Sequence, residues 1–247
     1  MARVFGGVST DKLTTGLTAH STLRTWAVWT YRTGGGGNGL GRIIEKGASA
    51  TEFIYNSDGA TSYQFQRNWS TGNGVWQIAQ PSLNAWHHIL VTYDGGATTN
   101  DPIIYIDGVS QTVTQSGADP SGTIVTDANP VLIGNNSNNN RVFAGNICEV
   151  AIWNRILTAA EASAIGAKGF SPAFFPNSLV EYAPLIRDLT SYKNSILTAV
   201  GTTVANHPRI IYPSNYNLAP FSDAAAPSVI PNKQYQFNQS IKRSNYY

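Results

Sequence analysis

Residues 85–96 read Ala85-Trp-His-His-Ile-Leu-Val-Thr-Tyr-Asp-Gly-Gly96, and six residues later comes Ile103-Ile-Tyr-Ile-Asp-Gly108. Both runs are rich in β-branched and aromatic residues, which suit a pleated, half-buried surface. Each ends in Asp-Gly, where glycine supplies the positive φ that a tight hairpin turn needs. Two strands, each closed by a turn, decide the fold class: the chain is antiparallel and all-β.

The same punctuation extends outward. Upstream, Arg24 to Tyr31 sets Trp26, Val28 and Thr30 on one face and Ala27, Trp29 and Tyr31 on the other. A Gly/Asn loop from Thr33 to Gly41 follows. Arg42–Lys46, Glu52–Asn56 and Ser62–Trp69 then read as strands, the last two joined through an Asp58-Gly59 turn. Downstream, Val131–Gly134, Ile147–Trp153 and Leu179–Leu185 complete the series. One helix interrupts it. Thr158-Ala-Ala-Glu161 has capping-box spacing, which predicts a helix over Ala159–Ala167 that stops at Gly169. The expected core comprises Trp26, Val28, Trp86, Ile104, Ile106, Val150 and Ile152, with Trp29 and Trp153 also internal.

Composition agrees. Of 247 residues 42% are hydrophobic and 12% charged, and polarity is carried by 23 Gly, 23 Thr and 22 Asn. Such a mix excludes a helical bundle or a long coiled coil. A net charge of +2 gives no basis for a nucleic-acid partner. No apolar run approaches the length of a membrane-spanning helix, so no membrane is expected. Cys148 is the single cysteine, which excludes an internal disulfide and a multi-cysteine zinc cluster. Met1-Ala-Arg-Val-Phe-Gly-Gly reads straight into a strand and turn with no signal-peptide pattern, so the chain is expected to be made in a cytoplasm.

Several blocks, taken together, resemble one family. Ala85-Trp-His-His-Ile-Leu-Val-Thr-Tyr-Asp-Gly with Ile104-Tyr-Ile-Asp-Gly is similar to the central signature of laminin-G-like, concanavalin A-like jelly rolls. Phe143-Ala-Gly-Asn-Ile-Cys-Glu-Val-Ala-Ile-Trp-Asn-Arg-Ile-Leu-Thr-Ala-Ala-Glu161 resembles the closing strand and capped helix, and Arg42-Ile-Ile-Glu-Lys-Gly and Leu132-Ile-Gly match weaker blocks. The resemblance, which covers roughly residues 3–190, implies an antiparallel β-sandwich (a concanavalin A-like jelly roll) with one short capped helix, assigned to residues 1–207, and the shift in composition after Pro208 sets residues 208–247 apart as an extended C-terminal arm. Two departures stand out. Cys148 occupies a position where the family usually has Asp. Leu179-Val-Glu-Tyr-Ala-Pro-Leu resembles a strand that often opens such domains but here comes last, which is tolerable if first and last strands are sheet neighbours.

The fold implies no single activity, since lectins, adhesion modules, glycosidases and structural proteins share it. Retaining glycosidases need two carboxyl groups about 5 Å apart, and here the acids nearest in sequence, such as Glu52 and Asp58, are six residues apart. The chain is therefore expected not to be an enzyme, and no catalytic residue is assigned. His87 and His88 should point to opposite faces of one strand, one hydrogen-bonded inside and one outside. Cys148 should be a buried, inert thiol on the face of Val150 and Ile152. Sugar binding needs an exposed aromatic platform with amide neighbours, which nominates Trp69, Asn73 and Trp76 around Ser70–Gly74. No cofactor is required; a structural calcium ion, if bound, would draw on Asp127 and Asn135.

Residues 208–247 hold five Pro, five Tyr and two Phe, too aromatic for an ordinary disordered tail. Tyr212, Tyr216, Phe221, Tyr235, Phe237, Lys242 and Arg243 are the residues expected to dock this arm on a partner. The expected function is that of a non-catalytic phage virion protein, a capsid-decoration or fibre-associated subunit displayed on the particle, with weak glycan adhesion. Its partners would be other virion subunits or further copies of itself. Relatives of this fold work outside cells and this sequence shows no secretion signal, two facts that a virion location reconciles. The alternative is a glycan-binding, lectin-like module of a secreted or cell-surface protein.

Overall fold

The β-branched and aromatic runs assemble into two antiparallel sheets that face one another. The computed structural model describes residues 2–47, 51–57, 61–185, 189, 191 and 197–214. The Asp58-Gly59 turn and Tyr216, Phe221, Tyr235, Phe237, Lys242 and Arg243 lie outside the described residues.

In the first sheet β10 (Val109–Ser110), β9 (Ile103–Ile106), β8 (Trp86–Asp94), β3 (Leu23–Arg32) and β13 (Gly145–Trp153) follow one another. Beyond β13 lie β1 (Ala2–Phe5), which pairs onward with β16 (Thr203–Ala205), and β14 (Leu179–Ala183). The second sheet runs β11 (Thr114–Gln115), β7 (Gly74–Ala79), β6 (Ser62–Arg67), β5 (Glu52–Ser57), β4 (Arg42–Lys46), β12 (Val131–Ile133), β2 (Lys12–Thr14) and β15 (Thr198–Val200).

Register identifies the core. Across the first sheet Ile152, Trp26, Val91 and Ile104 form one cross-strand row. Across the second, Leu13, Ile133, Ile44, Ile54, Phe65 and Trp76 form another. Both rows belong to one buried cluster between the sheets. Of the seven residues expected there, Trp26, Val28, Ile104, Val150 and Ile152 are buried. Ile106 is half-buried against the cluster. Trp86 is half-buried against the cluster as well, at the strand end where it pairs with Tyr31, ring centroids 5.7 Å apart. Ile152→Ala should therefore cost about 2–5 kcal/mol, the range for an emptied core site, as a lowered urea midpoint with unchanged slope.

The outer face of the first sheet is covered as well, which explains the nearly uninterrupted apolar runs in β3, β8 and β13. Its cover is α1 (Ala159–Gly166) and the turn after it. Thr158 and Glu161 make the expected capping box, and Gly169 has φ +70°. Gly166 lets the helix lie close: a Cβ there would meet the Gly108 amide nitrogen at 2.4 Å and His88 Nδ1 at 2.9 Å. Trp153 is buried on this side and donates from Nε1 to the Phe175 carbonyl at 2.7 Å.

A bulge in β13 changes which residues share that face. Ile147 pairs with Thr30 and Cys148 with Trp29, yet Ile152 pairs with Trp26. The register shifts between Cys148 and Ala151, where Glu149 takes φ +53°. One extra residue reverses the parity. Cys148 therefore does not share a face with Val150 and Ile152; it lies beneath the cover opposite Trp29. It is fully buried, and burial raises its thiol pKa well above the usual value.

β1 and β14 lie end to end along the same side of β13. Arg3, Val4 and Phe5 pair with Ile147, Asn146 and Gly145, whereas Leu179–Ala183 pairs with Trp153–Val150. Both run antiparallel to β13, so two pieces of chain fill one strand position. The altered order of the last strand is accommodated in this way. Residues 208–212, grouped with the arm by composition, belong to the unit that ends at Ser214. Ile211 bridges to Phe170, and Tyr212 Oη donates to the buried Glu149 carboxylate at 2.6 Å. Glu149 also accepts from Tyr182 Oη at 2.5 Å and lies 3.2 Å from His207 Nε2.

Candidate functional site

The tryptophans nominated by sequence are internal. Trp76 sits on the inward row of β7, 1% exposed, stacked on Phe65 and donating from Nε1 to Asp101 at 2.7 Å. Trp69 is 7% exposed and packs on the core. Asn73 builds the turn between them, accepting from the Trp69 amide at 3.3 Å. Ser70 and Thr71 also bridge to Thr123 and Ser121, so this glycine-bearing stretch lies against neighbouring chain. An exposed Trp69–Asn73–Trp76 platform does not form.

Asp127 and Asn135 are likewise engaged within the protein. Asp127 faces the fully buried Lys46 ammonium at 3.3 Å and accepts from Thr51 Oγ1 at 3.0 Å and the Asn129 amide at 2.7 Å. These donors hold its carboxyl below the usual range against the opposing effect of burial. Asn135 is fully buried, donating to the Ser9 and Asp11 carbonyls and accepting from the Asn136 and Arg141 amides. No hydrogen bond links the two. Among the described residues no group of three or more His, Cys, Asp or Glu side chains is placed to hold a metal ion.

His87 and His88 take opposite faces, as strand geometry requires. His87 pairs with Thr30 and bonds Asp107 and Ser82, each at 2.8 Å. His88 pairs with Trp29, is fully buried, and neither ring nitrogen has a hydrogen-bond partner. The expected internal hydrogen bond is absent because apolar packing and α1 surround the ring. Burial lowers its pKa to about 3.

Aromatic and amide groups also gather on the face of the second sheet turned away from the core, where Glu45, Phe53, Tyr55 and Gln64 are themselves buried and Gln66 and Gln77 are half-buried. One cross-strand row there runs Thr14, Leu132, Glu45, Phe53, Gln66 and Val75. A second runs Arg42, Tyr55, Gln64, Gln77 and Thr114. The Arg42 guanidinium lies over Phe53 at 4.1 Å and Tyr55 at 4.7 Å, and its Nε donates to Glu45 at 2.8 Å. The Tyr55 hydroxyl donates to Gln64, whose amide reaches Ser62 and Gln77. Burial raises the Glu45 carboxyl pKa, a shift the Arg42 hydrogen bond opposes.

Beside this patch a cleft of about 200 Å³ opens, lined by Lys12, Thr14, Gly47, Asn129, Pro130, Leu132 and Ser137. Its lining combines the apolar Pro130 and Leu132 with the hydroxyl, amide and ammonium groups of Thr14, Ser137, Asn129 and Lys12. The Asn-rich segment borders it: Asn139 Oδ1 accepts from Lys12 Nζ at 2.8 Å, and the Ser137 amide donates to Glu45 at 3.3 Å. Asn138 and Asn140 are exposed. Sequence reasoning passed over this face. The one-residue alternations Phe53/Tyr55 and Gln64/Gln66 are visible, but register alone shows that they join one surface.

Residues 5–163 match the family model described as the concanavalin A-like lectin/glucanases superfamily. No curated protein matches the chain. Among solved structures, a putative carbohydrate binding protein from Bacteroides ovatus superposes with a TM-score of 0.61 at 16% identity, over 85% of this chain. The chain spans 61% of that protein's length. The heptameric SAP-like pentraxin from Limulus polyphemus superposes with a TM-score of 0.56 at 11% identity, over 81% of this chain and 95% of the pentraxin. At these identities the likeness is one of fold.

Proposed function

We propose, from the premise that this chain belongs to the concanavalin A-like lectin/glucanases superfamily, that it is a non-catalytic glycan-binding module working through the outer face of the second sheet. The cleft beside the Arg42–Phe53–Tyr55 stack carries this reading. Its combination of apolar, hydroxyl and amide groups matches a sugar ring, which presents apolar C–H faces and a rim of hydroxyls. The carbohydrate-binding description of one structural neighbour supports the same reading.

The chemistry of the face supports a non-catalytic role. Glu45 is the one carboxylate among the described residues of the two cross-strand rows, and Arg42 holds it. Glycoside hydrolysis uses a pair. The particle-borne role rests on sequence alone, and neither the fold nor the neighbours add support to it.

A glycan array probed with the full chain tests the reading, with hydrolysis of the bound glycans measured in parallel. Binding without turnover is the expected result. Turnover abolished by replacing one acid would overturn the non-catalytic assignment, and a blank array would overturn the glycan assignment.

A further inference from the structure

The cleft lining holds one charged side chain, Lys12. Lys12 is half-buried in the cleft lining, and its ammonium donates to a neutral partner, the Asn139 side-chain carbonyl, at 2.8 Å. Among the described residues, the elements around it supply no counter-charge. Val200 pairs beside it on β15, Thr14 shares its strand face, and Leu132 lies across from Thr14 on β12. Asp11, its sequence neighbour, has the opposite strand parity and accepts from the Gly7 and Val8 amides. Glu45 is committed to Arg42 and the Ser137 amide. Asp127, near Gly47, is committed to Lys46, Thr51 and the Asn129 amide. Arg141 lies near enough to act on both Arg42 and Glu45. Lys12 is thus the one charged side chain among the residues lining the cleft, while Arg42 and Glu45 are paired with each other beyond it.

We propose that the cleft selects an anionic sugar, one bearing a carboxylate or sulfate group, and that Lys12 Nζ receives the negative charge. The inference deepens the glycan-binding reading and rests on it. A cation held in place by a neutral amide loses little orientational freedom when an anion arrives. It also gains a charge-assisted hydrogen bond, stronger than the neutral one it already makes. A neutral sugar in the same cleft would pack against Leu132 and Pro130 and leave Lys12 bonded to Asn139 alone. Thr14, Ser137 and Asn129 would meet ring hydroxyls in either case. Preference for the anion is therefore assigned to one side chain.

Three disaccharide probes separate the possibilities: digalacturonate, a sulfated galactobiose and unmodified galactobiose. Each is titrated into the full chain by calorimetry, with backbone amide shifts recorded at the cleft. At least one charged probe should bind about tenfold or more tightly than galactobiose, the ratio expected for one hydrogen bond to a charged group. That advantage should shrink with added salt. Lys12→Met keeps the aliphatic stem and should remove that advantage, and Lys12→Arg should restore most of it, the readout being the ratio of charged to neutral affinity within each variant. The carboxylate and sulfate arms identify which anion is preferred. Equal affinity for charged and neutral probes, or Lys12→Met without effect, would overturn the anionic preference while leaving glycan binding intact. If no probe moves a cleft amide and the array is blank, the glycan reading fails and this inference with it.

Discussion

Glu52→Ala is expected to lower stability by about 3–5 kcal/mol, the range seen when one partner of a buried ion pair is removed. Glu52 is 2% exposed and accepts from Arg67 at 3.1 Å and from the Trp26 indole nitrogen. Arg24 is also buried nearby, with two of its guanidinium nitrogens unpartnered, and Glu52 is its main compensating charge. Removing the carboxylate leaves two guanidinium groups in the interior without it and strips Trp26 of its acceptor. Chemical denaturation at neutral pH measures the loss. A change below about 1 kcal/mol, the scale of a surface pair, would show that this end of the sandwich is hydrated and the cluster weak.

Acid should unfold the protein through histidine before its carboxylates matter. His88 has a folded pKa of about 3 and His20 of about 4, both lowered chiefly by burial from an ordinary 6.5. Because both values are lowered, the unfolded chain binds more protons between pH 6.5 and about 3. Stability is full above pH 6.5 and declines as pH falls through that window. For His88 alone the loss at pH 5 should be about 2 kcal/mol. His88→Leu removes a ring whose nitrogens have no partners and keeps an apolar filler beside Trp29. It should match the wild type at pH 7 or exceed it, and exceed it clearly at pH 5. Parallel pH profiles for the two proteins would show instead that His88 is protonated in the fold.

The large architecture was legible because β3, β8 and β13 are rich in β-branched and aromatic residues and Asp-Gly turns close their neighbours. The capping box announced α1 for the same local reason. Features that depend on a single backbone choice were hidden. Nothing in Ile147-Cys-Glu-Val150 signals that Glu149 takes a left-handed conformation, so the parity reversal that separates Cys148 from Val150 could not be read. Trp76 misled because the glycine-rich stretch before it resembles a binding loop. Its alternation with Ile78 already implied an inward-facing strand. The candidate site was scattered over β2, β4, β5, β6, β12 and the Asn-rich segment, elements brought together by register and by no local motif. Lys12 carried no sequence signal at all. Its importance comes from what surrounds it.

The central claim is that glycans are met on the outer face of the second sheet. Backbone amide shift mapping, during titration with a glycan that the array identifies, tests it most directly. The account predicts shifts concentrated at Thr14, Gly47, Asn129, Leu132, Ser137 and Asn139, spreading toward Arg42 and Tyr55. Shifts confined to residues 69–74 and 121–124, with the cleft silent, would contradict it.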